Sequence, residues 1–145
     1  MEIKKILWAT DLSENAGKAL PLVASLSANY QAEVHVLYVL REIGHYGAWY
    51  GDFDPADLDR LKEAEQSKAE STLDSICETE LKGCPLYIRH TAVGEPASQI
   101  LQLIKEEQPG LVILGTKGQG GHFDVGSVAE RVVRHSPVPV VTVPG

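Results

Sequence analysis

Two glycine-bounded turns near the end of this sequence offer its plainest chemistry. Leu111-Val-Ile-Leu114 runs into Gly115-Thr-Lys-Gly118, and one loop later Gly126-Ser127 opens a segment of helical spacing. Glycines at a strand end let backbone N–H groups approach a bound group closely, and a helix start adds unpaired donors and the positive end of its dipole. Together these parts make an anion pocket of the kind that takes a phosphate. Lys117 either draws that anion as a point charge or sits in solvent. Ser127 either meets the anion or, as Ser127-Val-Ala-Glu130, forms a capping box.

Other chemistries fit poorly. Gly-x4-Gly-Lys-Ser/Thr is absent, and with it the phosphate-binding lysine and the magnesium-binding hydroxyl of that loop. No Gly-x-Ser-x-Gly nucleophile elbow occurs. His122 and Asp124 offer two ligands where zinc takes three or four. His35 and His90 fall in strands, and His135 follows Arg134 at a helix end where it complements the dipole; all three read as structural. Asp52, Asp54, Asp57 and Asp59 lack the spacing and closing glutamate of a calcium loop. Cys77 and Cys84, with six residues between them, match no zinc or redox spacing and read as reduced thiols.

The elements that must position the pocket follow from periodicity. Five apolar runs (Ile6–Thr10, Val34–Val39, Leu86–Thr91, Leu111–Gly115, Val138–Val143) are short and nearly continuous, as expected of strands covered on both faces. Between them lie helical stripes: Ala16, Ala19, Leu20, Val23 and Leu26; Leu58, Leu61, Ala69, Leu73 and Ile76 within Asp57–Leu81; Ile100, Leu101, Leu103 and Ile104 after Pro96; and Val128, Val132 and Val133. The alternation predicts an α/β three-layer sandwich, a five-stranded mainly parallel sheet with helices on both faces. Asp11, Val39 and Gly115 then stand at strand carboxyl ends, on one ligand-binding rim. Arg41–Pro55, with His45, Tyr46, Trp49, Tyr50 and Phe53, reads as a long loop that either lids this rim or packs on the core.

The chain has 145 residues, enough for one domain spanning 1–145 with a core of its own. A net charge of −7 disfavours nucleic acid and acidic membranes as partners. Met-Glu-Ile-Lys-Lys passes straight into a strand, and no stretch approaches the length of a membrane span, so a cytoplasmic protein is expected.

At four places the sequence resembles the universal stress protein family of the nucleotide-binding type, and the likeness extends over essentially the whole chain. Ile6-Leu-Trp-Ala-Thr-Asp-Leu-Ser13 is similar to its opening strand and turn. Val93-Gly-Glu-Pro-Ala97 is similar to its Gly-x-Pro element, and Ser136-Pro-Val-Pro-Val-Val-Thr-Val143 to its closing strand. Gly115-Thr-Lys-Gly118 with Gly126-Ser127-Val-Ala-Glu-Arg-Val-Val-Arg-His135 resembles its phosphate motif. One departure stands out: seven residues, Gln119–Val125, separate Gly118 from Gly126, where the family motif usually has nine.

The resemblance implies a Rossmann-like fold of the adenine nucleotide alpha hydrolase-like kind, ATP as ligand with AMP or ADP as alternatives, and Mg2+ held through phosphates only. It implies that Ala9, Thr10 and Asp11 face adenine and ribose, that Val39 packs on the base, and that Leu114, Gly115 and Gly118 wall the pocket. Gly126, Ser127 and Val128 would meet the phosphates. Asp11 keeps a second reading, as cap of a helix beginning near Ser13. The family also implies a homodimer through Val138–Val143, an apolar run whose Pro139 suits a sheet edge, and a regulatory role with a protein partner. Two other functions stay open: a nucleotide-free interaction module, toward which the short loop points, and slow ATP hydrolysis or adenylyl transfer.

Overall fold

The computed structural model describes residues 2–12, 17–40, 55–81, 83–116 and 127–144. Strands and helices alternate along them: β1 (Lys5–Thr10), α1 (Leu20–Tyr30), β2 (Glu33–Leu40), α2 (Pro55–Glu80), β3 (Tyr87–Val93), α3 (Pro96–Glu107), β4 (Leu111–Gly115), α4 (Ser127–His135) and β5 (Val140–Val143). The strands form one five-stranded sheet in the order β3-β2-β1-β4-β5. Every pairing is parallel. From central β1 the chain fills one flank with β2 and β3, then crosses to the other for β4 and β5. The order therefore reverses between β1 and β4, where open α/β sheets leave a crevice at the strand carboxyl ends.

Period-two alternation divides the core between the two faces. Ile6, Trp8, Val34, Val36 and Ile113 face Val23 of α1 and Leu73 and Cys77 of α2. Leu7, Ala9, Leu37, Val112 and Leu114 face Ala97, Ile100, Leu103 and Ile104 of α3 and Ala129 and Val132 of α4. Burial on both faces is why these strands read as unbroken apolar runs.

Several boundaries differ from the sequence expectation, each for a local reason. β3 runs Tyr87–Val93 rather than Leu86–Thr91; half-exposed Leu86 precedes it, its carbonyl accepting from the Val34 amide. β5 begins at Val140, not Val138. The Ser136 hydroxyl accepts from the Val138 amide and donates to the Val138 carbonyl, closing a turn just ahead of the strand. In α2 the buried stripe is Ala69, Leu73, Cys77 and then Leu81, while Leu61 is half exposed. In α4 Val133 faces solvent, and Ala129 packs with Val132 instead. Burial first, then nearby Asp74, pushes the Cys77 thiol up to about 11, so it stays protonated at neutral pH; both cysteines are free.

Three backbone positions set the turns. α1 and α3 each end on a left-handed glutamine, Gln31 (φ 51°) and Gln108 (φ 48°), whose amides donate to the Ser27 and Ile104 carbonyls. Gly94, at φ 143°, ends β3 in a region that favours glycine, and a Cβ there would meet the Gln99 amide nitrogen at 3.0 Å. Its amide donates to the Leu40 carbonyl, so β2 and β3 finish together.

Candidate functional site

At the carboxyl ends of β1 and β4, where the strand order reverses, the residues are small and apolar. Ala9 stands opposite Leu114 in one register and Leu37 in the other. Ala9 and Leu114 are nearly buried in the cluster under α3 and α4, and Val39 and Val128 pack against that cluster from β2 and α4. An alanine at this rung keeps the sheet surface low where the order reverses. Four of the expected site residues (Ala9, Val39, Leu114 and Val128) thus share one side of the sheet.

Thr10 closes β1, and its hydroxyl accepts from the Leu12 amide at 3.0 Å. Leu12 itself is left-handed, at φ 63°. This turn holds the Thr10 side chain in a backbone role and sets Asp11 at its crest, half buried. The Asp11 carboxylate lies close enough to Tyr38 to act on it: burial first, then Glu65 and Asp11, raises the phenol. Tyr38 is aligned with Thr10 across the β1–β2 ladder. The alternative reading of Asp11 as a helix cap falls on residues 13–16, outside those described; α1 itself begins at Leu20, after Ala19.

Gly115 ends β4 opposite Val143 of β5. Beyond it, the Thr116 amide donates to the Val143 carbonyl. Ser127 is the first residue of α4 and is exposed, so its hydroxyl stands at the helix end where backbone donors lack intrahelical partners. Glu130, the other half of the expected capping box, pairs with Arg134 at 3.0 Å. Lys117, Gly118 and Gly126, the loop Gln119–Val125 with His122 and Asp124, and nearly all of Arg41–Pro55 lie outside the described residues.

One contributor to the rim was quoted in a motif but given no role by sequence reasoning. Glu95 caps α3, its carboxylate accepting from the Ala97 and Ser98 amides and from the Ser98 hydroxyl. The same carboxylate pairs with Arg131 of α4 at 3.0 Å. It therefore ties the start of α3 to the middle of α4, the two helices that cover the Ala9–Leu114 rung. Glu95-Pro96 at a helix start announces the cap; the partner thirty-six residues on has no local signal.

The model of the universal stress protein family matches residues 2–144. A universal stress protein of Thermus aquaticus is 31% identical over 144 residues, covering 97% of this chain and 98% of that protein. Universal stress protein MJ0577 of Methanocaldococcus jannaschii is 29% identical over 153 residues, covering 97% of this chain and 94% of its own length. Its solved structure superposes with a TM-score of 0.85 at 27% identity, over 100% of this chain and 98% of that one. A universal stress protein of Archaeoglobus fulgidus, solved in complex with dAMP, shares the fold at a TM-score of 0.64 and 22% identity, over 98% of both chains.

Proposed function

The chain belongs to the universal stress protein family, and from that premise we propose that it is a cytoplasmic, homodimeric regulatory protein, one domain per chain, that binds an adenine nucleotide. ATP leads, with AMP or ADP as alternatives. The observation behind this reading is the Ala9–Leu114 rung at the reversal of strand order, flanked by Val39 and Val128 with Ser127 opening α4 beside it. Such a crevice fits a flat base against Ala9, Val39 and Leu114. Asp11 would accept hydrogen bonds from ribose hydroxyls. Gly115, Lys117, Gly118, Gly126, Ser127 and Val128 would carry the phosphates, at a helix start suited to anions. Any Mg2+ would be held through those phosphates. The dAMP complex of the Archaeoglobus protein supports an adenine ligand for this fold.

The test is to denature freshly purified protein, with no nucleotide added, and identify what is released by chromatography and mass spectrometry. Adenine nucleotide near one per chain is the expected result. Gly118→Val should abolish it while leaving the circular dichroism unchanged. The seven-residue spacing of Gln119–Val125 favours a second reading, the nucleotide-free interaction module. An empty protein that also ignores added ATP, ADP and AMP in calorimetry would establish that reading in place of the first.

A further inference from the structure

At the amino ends of β1 and β2, away from the nucleotide rim, the fold gathers five side chains that the sequence scatters: Lys5, Glu33, His35, His90 and Glu107. His35 lies on the α3 side of β2, aligned with Leu7 of β1. His90 of β3 is aligned with Leu37 of β2, on that same side. Glu107 is the last residue of α3. The His35 side chain is 3% exposed, while Glu107 at 30% reaches solvent.

His35 Nδ1 and His90 Nε2 are 2.9 Å apart. Their rings are 17° from parallel with centroids 5.2 Å apart, so the two meet edge to edge through their nitrogens rather than face to face. His35 Nε2 stands 3.3 Å from Glu33 Oε1. A carboxylate only accepts, so that nitrogen carries a hydrogen toward Glu33, and Nδ1 is the atom turned toward His90. Glu107 Oε2 is 3.9 Å from the same Nδ1 and is held by Lys5 Nζ at 3.4 Å. One ligand atom from each of His35, His90 and Glu107 falls within 4.8 Å of the other two.

We propose that His35, His90 and Glu107 form a binding site for a divalent transition-metal ion, zinc by preference. Two imidazoles and one carboxylate are a recurrent zinc set that leaves the fourth position to water. Here that position lies on the solvent side, beside Glu107. Glu33 supplies the outer carboxylate that orients a metal-binding histidine and fixes its tautomer. Burial first, then His35, lowers the His90 pKa against the opposing pull of Glu107 and Glu106. Those same acidic groups favour a cation at the cluster.

Without metal, His35 Nδ1 and His90 Nε2 share one hydrogen bond. Nitrogens sharing a tetrahedral zinc stand about 3.3 Å apart, so the pair must open by roughly 0.4 Å and each ring must turn by about 35° from its present head-on direction for both lone pairs to converge on the ion. The His90 proton then resides on Nδ1, and Glu107 turns from Lys5 toward the ion. The competing role for these residues is a hydrogen-bonded pair that only satisfies buried polar groups.

Full-length protein stripped with a chelator and titrated with Zn2+ alone, without nucleotide, decides between them. The expected result is one tight site per chain, movement of the His35 and His90 ring 15N resonances, and a tetrahedral visible spectrum with Co2+. His90→Gln and Glu107→Gln should each weaken binding at least tenfold with an unchanged far-ultraviolet spectrum. Glu33→Gln, which touches no metal, should weaken it about ten- to a hundredfold. No binding up to millimolar Zn2+ would overturn the proposal. Binding that persists undiminished in His90→Gln would place the ion elsewhere and overturn it equally. Neither outcome bears on the nucleotide reading, whose residues lie at the other end of the strands.

Discussion

Asp11 stands one residue past β1, raised there by the Thr10–Leu12 turn and close enough to act on Tyr38. If it binds ribose, its contribution is common to every adenine nucleoside. Asp11→Asn should then weaken adenosine, AMP and ATP by the same factor, about ten- to a hundredfold, as loss of a charge-assisted hydrogen bond implies. Calorimetry with the three ligands checks this, and a factor that grows with phosphate number would contradict it. At this scale the strand-end rim was largely legible, since Asp11, Val39 and Gly115 fall at or next to the carboxyl ends of apolar runs that the fold forms as strands. The histidine cluster was not. His35 and His90 each look like isolated strand histidines, and only lateral pairing of β2 with β3 brings positions fifty-five residues apart within 2.9 Å.

Among the elements, α3 and α4 matter most because they cover the face that contains Ala9 and Leu114. Glu95 governs both, as cap of one and ion-pair partner of the other. Partial burial pushes its carboxyl up, but hydrogen bonds from the Ser98 hydroxyl and the Ser98 and Ala97 amides, with Arg131, outweigh that and hold it below the usual range. A carboxylate with a lowered folded pKa stabilises fully above its unfolded value, about 4.3, and loses that contribution as pH falls through the folded value. Glu95→Ala should cost about 1 kcal/mol at neutral pH, as cap removal generally does. Denaturant titrations between pH 7 and 3 should show the gap to the parent closing on the acid side; a constant gap would assign the loss to packing. The order of strands and helices was readable from apolar periodicity, and β4 was placed to the residue. Ends were displaced where side chains closed local turns, as Ser136 does ahead of β5, or where an apolar residue such as Leu86 lies outside the ladder.

For the whole molecule, the sheet order leaves β3 and β5 as its edges. The Val112 amide donates to the Pro139 carbonyl and the Thr116 amide to the Val143 carbonyl. Alternation then turns the Val140 and Thr142 backbone groups outward, free to pair with a second copy. Thr142→Pro removes an outward N–H and leaves the β4 ladder intact, so sedimentation should shift from dimer to monomer without loss of fold. A parent protein that sediments as a monomer at micromolar concentration would remove the dimer from the proposed function. The paired glutamine caps have a consequence for heat resistance. Gln31 and Gln108 hold a backbone conformation that costs a residue with a Cβ about 1 kcal/mol and glycine almost nothing. Both precede strands by one to three residues, at the crossovers feeding β2 and β4. Glycine at both positions should raise the melting temperature by roughly 6 °C in calorimetry, the two gains adding because the sites share no partner. This fold thus stops short of its own thermal ceiling at two surface turns, both at the amino ends of the strands they feed.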